Sequence, residues 1–141
     1  MRASVLVMGP LLAKYGKAKI SQPGGCNIGT RPIDFHLKGL EMMGAKIESD
    51  KKFIYLKAQK LNPIDFTFPK VSVTGTENLM MAASLTQGKT VLRNCAKEPE
   101  VAELANFLNS CGARISGAGG SIIEIEGTEL LNGQKWKILS D

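Results

Sequence analysis

MRASVLVMGPLLAKYGKAKIS, residues 1–21, can be laid over VTGTENLMMAASLTQGKTVLR, residues 73–93, so that Gly16-Lys17 falls on Gly88-Lys89, 72 positions on. Further along, GLEMMGAKI lies over FLNSCGARI, with Gly44 and Gly112 separated by 68 positions. Leu61-Asn62 returns as Leu131-Asn132 after 70. The three anchors agree on a unit of about 70 residues, and such a period decides the architecture before any single element does. Repeat A covers about residues 1–71 and repeat B about 72–141. The step from 72 to 68 puts surplus residues in the first copy, between its Gly-Lys strand and its second helix. That surplus is the loop around Cys26.

Each unit reads alike. Ala3 to Tyr15 and Gly75 to Gln87 are apolar-rich segments of helical length, each followed by a glycine (Gly16, Gly88) suited to a left-handed cap. Pro10 should kink or delay the first of them. Lys17–Ser21 and Lys89–Asn94 are short strands. Pro32–Met43 and Glu98–Cys111 are second helices, with Leu37, Leu40 and Met43, and Val101, Leu104, Phe107 and Leu108, near helical spacing. Gly44 and Gly112 end them. The strand pairs Ala45–Glu48 with Phe53–Lys57 and Ala113–Ser116 with Ser121–Glu126 come next, the second joined by a Gly117–Gly120 hairpin. Ile64–Phe68 and Lys135–Leu139 are the closing strands. This alternation predicts an α/β (α+β) protein whose copies pack sheet to sheet and helix to helix around a shared centre. At these offsets Asp141 falls on Val71 and Met1 on Val73, so the array is expected to continue beyond the chain.

At 141 residues, 43% apolar and 22% charged, the chain has the size and composition of an ordinary globular domain. No apolar run approaches the roughly 20 residues that span a membrane, and no secretory leader is expected. Three cysteines without framework spacing read as free thiols in a reducing cytoplasm. The net charge of +5 is spread out, without a dense basic stripe or interleaved aromatics. This disfavours nucleic acid and leaves small anionic substrates.

The chemistry is expected in QPGGCNIGTRPIDF, residues 22–35. Gly24 and Gly25 beside Cys26 mark an adaptable exposed loop, and such loops carry function more often than the elements they join. Arg31 and the nearby lysines would raise the thiolate fraction of Cys26; otherwise it is an incidental loop residue. Pro32 and Asp34 suit the first turn of a helix. Arg2 and Arg31 are either surface charges or bidentate anchors for carboxylate and phosphate. His36, without a histidine or cysteine partner, is expected at the surface or as a cap, and Cys95 and Cys111 in structural roles. Thr74 or Thr76 is expected to cap the helix after Lys70-Val71-Ser72-Val73, where amides could also hold an anion. No metal-ligand spacing, Walker loop or dinucleotide fingerprint occurs.

PGGCNIGTRPIDFHLKGLEMMGA, KVSVTGTENLMMAA and AKEPEVAELANFLNSCGA, in that order over the whole chain, resemble the UDP-N-acetylglucosamine enolpyruvyl transferases (1-carboxyvinyltransferases) of the EPSP synthase-like superfamily. The resemblance implies an inside-out α/β barrel of βαβαββ units, with two of three units of the cysteine-loop domain present. It implies transfer of the enolpyruvyl group of phosphoenolpyruvate to the 3-hydroxyl of UDP-N-acetylglucosamine with release of phosphate. This is the first committed step of bacterial peptidoglycan synthesis, and it uses no metal or organic cofactor. Cys26 would be the proton donor to the enol carbon, able to hold phosphoenolpyruvate covalently and to be alkylated by fosfomycin. Arg2 and Arg31 would meet the anionic substrates. Arg31, Pro32, Ile33, Asp34 and Phe35, with Lys70, Val71, Ser72 and Val73, would line the nucleotide-sugar site.

The chain departs from the pattern at Thr74-Gly75, where many members have Gly-Ala. It also lacks the family's lysine-asparagine pair and the aspartate base and further arginine of the other domain. Half a cleft, inactive alone, is therefore expected. The expected partners are the third unit and the second domain, or another copy through the cut apolar face, with no nucleic acid and no membrane. The alternative of another class is a non-catalytic binding or assembly module of the same repeat type, an RNA-binding one included.

Overall fold

The computed structural model describes residues 2–22, 34–129, 131–135 and 137. In chain order the elements are a 3-10 turn (Arg2–Val7), α1 (Met8–Tyr15), β1 (Lys17–Ser21), α2 (Asp34–Met42), β2 (Lys46–Ser49), β3 (Phe53–Lys57) and β4 (Asp65–Thr67). After them come α3 (Val73–Ser84), β5 (Lys89–Arg93), α4 (Pro99–Ser110), β6 (Arg114–Ser116) and β7 (Ile122–Glu126). The class is α/β, as expected.

The central helix is α3. Gly75, Thr76, Asn78, Leu79, Met80, Ala82, Ala83 and Ser84 are all buried, so it has almost no polar face, and such a helix belongs inside a fold. The 3-10 turn, α1, α2 and α4 all pack on it. Two glycines permit the close approaches. A Cβ at Gly9 would stand 2.5 Å from both the backbone and side-chain oxygens of Asn78, and one at Gly39 would run into Leu79. Pro10 sits in the first turn of α1, where its missing N–H would have had no intrahelical partner, and the residues before it adopt the 3-10 form.

The sheets lie outside the helices. One has the order β1-β3-β2 and is antiparallel; the other has the order β4-β5-β7-β6, with β5-β7-β6 antiparallel. Alternation with period two turns Ala18 and Ile20 of β1, Ile54 and Leu56 of β3, and Ile123 and Ile125 of β7 inward. Each large apolar side chain so buried stabilises the fold by about 1.5–3 kcal/mol. The same order, strand-helix-strand-strand, runs through β1-α2-β2-β3 and β5-α4-β6-β7. Both second helices end in one motif. Gly44 and Gly112 adopt left-handed φ of 115° and 110°, and the amides of Ala45 and Ala113 reach back to the carbonyls of Leu40 and Leu108.

The two sheets are joined by a strand exchange. β4, which follows β3 in the chain, leaves the first sheet and pairs parallel with β5, Asp65 opposite Val91 and Thr67 opposite Arg93. Phe66 and Phe68 carry it into the core, their rings 5.0 Å apart and edge to face. Helices do share a centre, whereas the sheets are linked by this strand. Three further expectations need correction. Gly88 (φ 107°) does not cap α3, whose C-cap is Leu85, and instead turns the chain into β5. Ser72, not Thr74 or Thr76, caps α3 by accepting the Gly75 amide at 3.0 Å. Lys135 and Lys137 are not in a strand, and Trp136, Ile138 and Leu139 lie outside the described residues.

Candidate functional site

Cys26, Arg31, Pro32 and Ile33 lie outside the described residues, as do the side chains of Arg2 and Asp34. The backbone still places the ends of the expected site. Arg2 opens the 3-10 turn, Asp34 opens α2, and Val73 opens α3 behind its cap Ser72. Lys70 and Val71 are exposed just ahead of that cap. Phe35 and Val73 are half-buried and pack against the core. Ser72 is occupied structurally: its hydroxyl caps the helix and its carbonyl accepts the Thr76 hydroxyl at 2.7 Å.

The starts of α2 and α3 are neighbours, and the contact is polar. His36 Nε2 lies 3.2 Å from Thr74 Oγ1, one turn into each helix. On the other side of the ring, Nδ1 lies 2.8 Å from Asn78 Nδ2. The tautomer follows from Asn78. Its Oδ1 accepts the Gly9 amide at 2.8 Å, so its Nδ2 faces His36 and the Val5 carbonyl, 3.0 Å away. His36 Nδ1 must therefore accept, which leaves the proton on Nε2 to be donated to Thr74. The 3-10 turn and the starts of α1, α2 and α3 thus meet at one polar knot. The helix starts brought together here each carry about half a positive charge, which suits a phosphate-bearing ligand.

The expectation that His36 lies at the surface or serves as a cap is overturned. It is 1% exposed, and burial pushes its pKa down from 6.5 to about 4. The missed signal was periodicity: His36, Leu40 and Met43 share the inward face at helical spacing. Asn78 was missed too, although a lone asparagine in so apolar a helix is out of place unless it bonds to something.

A pH dependence follows. Neutral His36 is favoured in the folded chain, so its contribution is complete above about pH 6.5 and is lost as pH falls through about 4. The expected loss is about 2–3 kcal/mol between pH 7 and pH 4, relative to a His36→Gln variant that lacks this titration. Urea unfolding of both proteins across that range checks it. Parallel pH curves for the two would refute the assignment.

Cys95 and Cys111 are buried free thiols. Burial raises the Cys95 pKa to about 11, and its Sγ donates to the Leu92 carbonyl at 3.2 Å, so it is a poor nucleophile. Among the described residues no cluster of three or more His, Cys, Asp or Glu is placed to hold a metal. A cavity of about 790 Å³ lies at the other ends of α1 and α3, lined by Lys14, Lys17, Lys57 and Lys60 among others, and contains none of the expected site residues. No described helix is long and apolar enough to cross a membrane.

The family model of EPSP synthase (3-phosphoshikimate 1-carboxyvinyltransferase) matches residues 1–141. The UDP-N-acetylglucosamine 1-carboxyvinyltransferase of Sorangium cellulosum (strain So ce56) is 55% identical over 141 residues, which are 100% of this chain and 33% of that protein. The protein of the same name from Hydrogenovibrio crunogenus (strain DSM 25203 / XCL-2) is 52% identical over 141 residues, 34% of its length. The chain therefore spans about a third of the length of these curated relatives. Among solved structures, the enolpyruvyl transferase NikO from Streptomyces tendae is similar with a TM-score of 0.76 and 20% identity, over 94% of this chain and 32% of that one. An EPSP synthase from Acinetobacter baumannii is similar with a TM-score of 0.71 and 21% identity, over 93% and 29%. These two likenesses speak for the fold.

Proposed function

This chain belongs to the EPSP synthase family, and from that membership we propose that the full-length product of its gene transfers the enolpyruvyl group of phosphoenolpyruvate to the 3-hydroxyl of UDP-N-acetylglucosamine. The observation that carries the reading is the 52–55% identity, along the whole chain, to two proteins bearing that activity's name. The meeting of His36 and Thr74 supports the reading, since the start of α2, which follows Arg31–Ile33 in the chain, lies beside the start of α3, which follows Lys70–Ser72.

Joining a hydroxyl to an enol phosphate needs a proton on the terminal enol carbon while the sugar oxygen bonds to the central carbon. Loss of phosphate and of a proton then restores the double bond. In this reading the Cys26 thiol supplies the first proton, a role for which a thiol is a competent acid. Arg2 and Arg31 hold the carboxylate and phosphate with paired hydrogen bonds and offset the charge that develops as phosphate departs. Arg31, Pro32, Ile33, Asp34 and Phe35, with Lys70, Val71, Ser72 and Val73, line the nucleotide-sugar wall. The site is completed by the parts of the protein outside this chain, and the setting is the cytoplasmic stage of cell-wall synthesis. Nothing in the comparisons favours the RNA-binding alternative.

Intact mass and peptide mapping after fosfomycin treatment, with and without UDP-N-acetylglucosamine, test the reading. One adduct on Cys26, formed faster with the nucleotide sugar, is expected. Cys95 and Cys111 should stay unlabelled, because both are buried. If a general alkylator labels Cys26 in the full-length product while fosfomycin leaves no adduct, the proposal fails.

A further inference from the structure

Asn78 occupies a position that no capping or packing role requires. It is fully buried on α3, and its side chain makes three hydrogen bonds, each to a different part of the fold. Nδ2 donates to the Val5 carbonyl at 3.0 Å, within the 3-10 turn that Arg2 opens. Oδ1 accepts the Gly9 amide at 2.8 Å, in the first turn of α1. Nδ2 also donates to His36 Nδ1 at 2.8 Å, two residues into α2, and the opposite face of that ring reaches Thr74 at the start of α3. The partners lie 73, 69 and 42 residues away in the chain, so none of these contacts is local.

An apolar residue here would leave the Gly9 amide, the Val5 carbonyl and the His36 ring without these partners. At the 72-residue offset of the two Gly-Lys pairs, Asn78 falls on Leu6. Leu6 lies in the 3-10 turn, where an apolar residue stands in place of the amide. What distinguishes position 78 is that it faces the starts of three segments at once.

We propose that Asn78 is a positioning residue, which holds the Arg2 turn, the start of α2 and the start of α3 in one register for the anionic substrates. The inference rests on the functional reading above. A polar hub suits the task because hydrogen bonds fix direction as well as distance, whereas apolar packing tolerates sliding. Errors of about 1 Å in such positions are enough to change binding and turnover by about 100-fold.

The test uses Asn78→Ser, Thr74→Val and, as a stability control, Ile125→Val, which lies in the core of the second sheet. Amide hydrogen exchange on the purified full-length product gives a readout that needs no activity. Asn78→Ser should speed exchange at residues 5–9, 36–40 and 73–78 together by at least tenfold, while Ile125→Val leaves these three stretches within twofold. In steady state, Asn78→Ser should raise the KM for UDP-N-acetylglucosamine at least tenfold. Thr74→Val, which breaks only the outer bond on an exposed residue, should raise it about threefold and keeps the question answerable if Asn78→Ser does not fold. Loosening of α3 alone overturns the proposal, as does an unchanged KM in Thr74→Val beside a lowered melting temperature in Asn78→Ser. Should the wild type turn over no UDP-N-acetylglucosamine, the functional reading fails, and the exchange arm still decides whether Asn78 couples the three segments.

Discussion

Cys26→Ser in the full-length product is expected to lower enolpyruvyl transfer by about 10²–10⁴-fold while leaving the affinity for the nucleotide sugar within threefold. A serine hydroxyl is close to a thiol in size, so binding should survive. It is a far weaker acid, so the proton for the enol carbon is no longer available at neutral pH. The split between rate and affinity is the informative result, because a group used only in the transition state lowers kcat without altering ground-state binding. Fosfomycin labelling should vanish in the same variant. Turnover within a factor of ten of the wild type would remove Cys26 from the mechanism and with it the chemical reading of the Pro23–Arg31 stretch.

The second large effect concerns the frame. Gly9→Ala should destabilise the chain by about 2–4 kcal/mol, lowering the melting temperature by roughly 10 °C. Helix propensity alone argues the other way, since alanine is favoured over glycine in a helix by about 1 kcal/mol. The steric term wins. The added Cβ would stand 2.5 Å from the Asn78 carbonyl oxygen, a backbone atom that cannot rotate aside, and 2.5 Å from the Asn78 Oδ1 that accepts the Gly9 amide. Relief of the clash must separate α1 from α3 and break that hydrogen bond. Gly133→Ala, where nothing lies within 4 Å of the new carbon, should stay within about 0.5 kcal/mol of the wild type. Chemical denaturation of both variants decides the matter. Equal stability would mean that α1 and α3 are not closely packed at Gly9.

Much of the frame is legible in the sequence. The β1 and β3 strands fall where the alternation put them, and β5, β6 and β7 within one or two residues of it. The glycines ending α2 and α4 serve as expected, because a left-handed residue after a helix is a local requirement that one residue type meets best. The cap of α3 lies two or four residues before the expected threonines because serine and threonine are chemically equivalent candidates, and only the path of the chain into the helix chooses between them. Gly88 was misread for a related reason. Its φ of 107° serves the turn into β5, and a required left-handed conformation does not announce which element needs it.

His36 and Asn78 mark the limit more sharply. In sequence one is a lone histidine two residues past an aspartate and the other a lone asparagine in an apolar run, and neither has a partner within reach along the chain. Their partners come from 38 to 73 residues away. Likewise, nothing in the Asp65–Thr67 stretch says that it pairs with Val91 and its neighbours rather than with the strands before it. The sequence by itself determined the class, most of the helices and strands to within a few residues, and through its motifs the family and the cysteine expected to react. These depend on patterns within a few turns of chain, where spacing dictates which side chains share a face. Only the tertiary structure decided the strand exchange through β4, the burial of most of α3, and the polar knot at Asn78. Each depends on which face meets which, and that is settled by packing between segments distant in the chain.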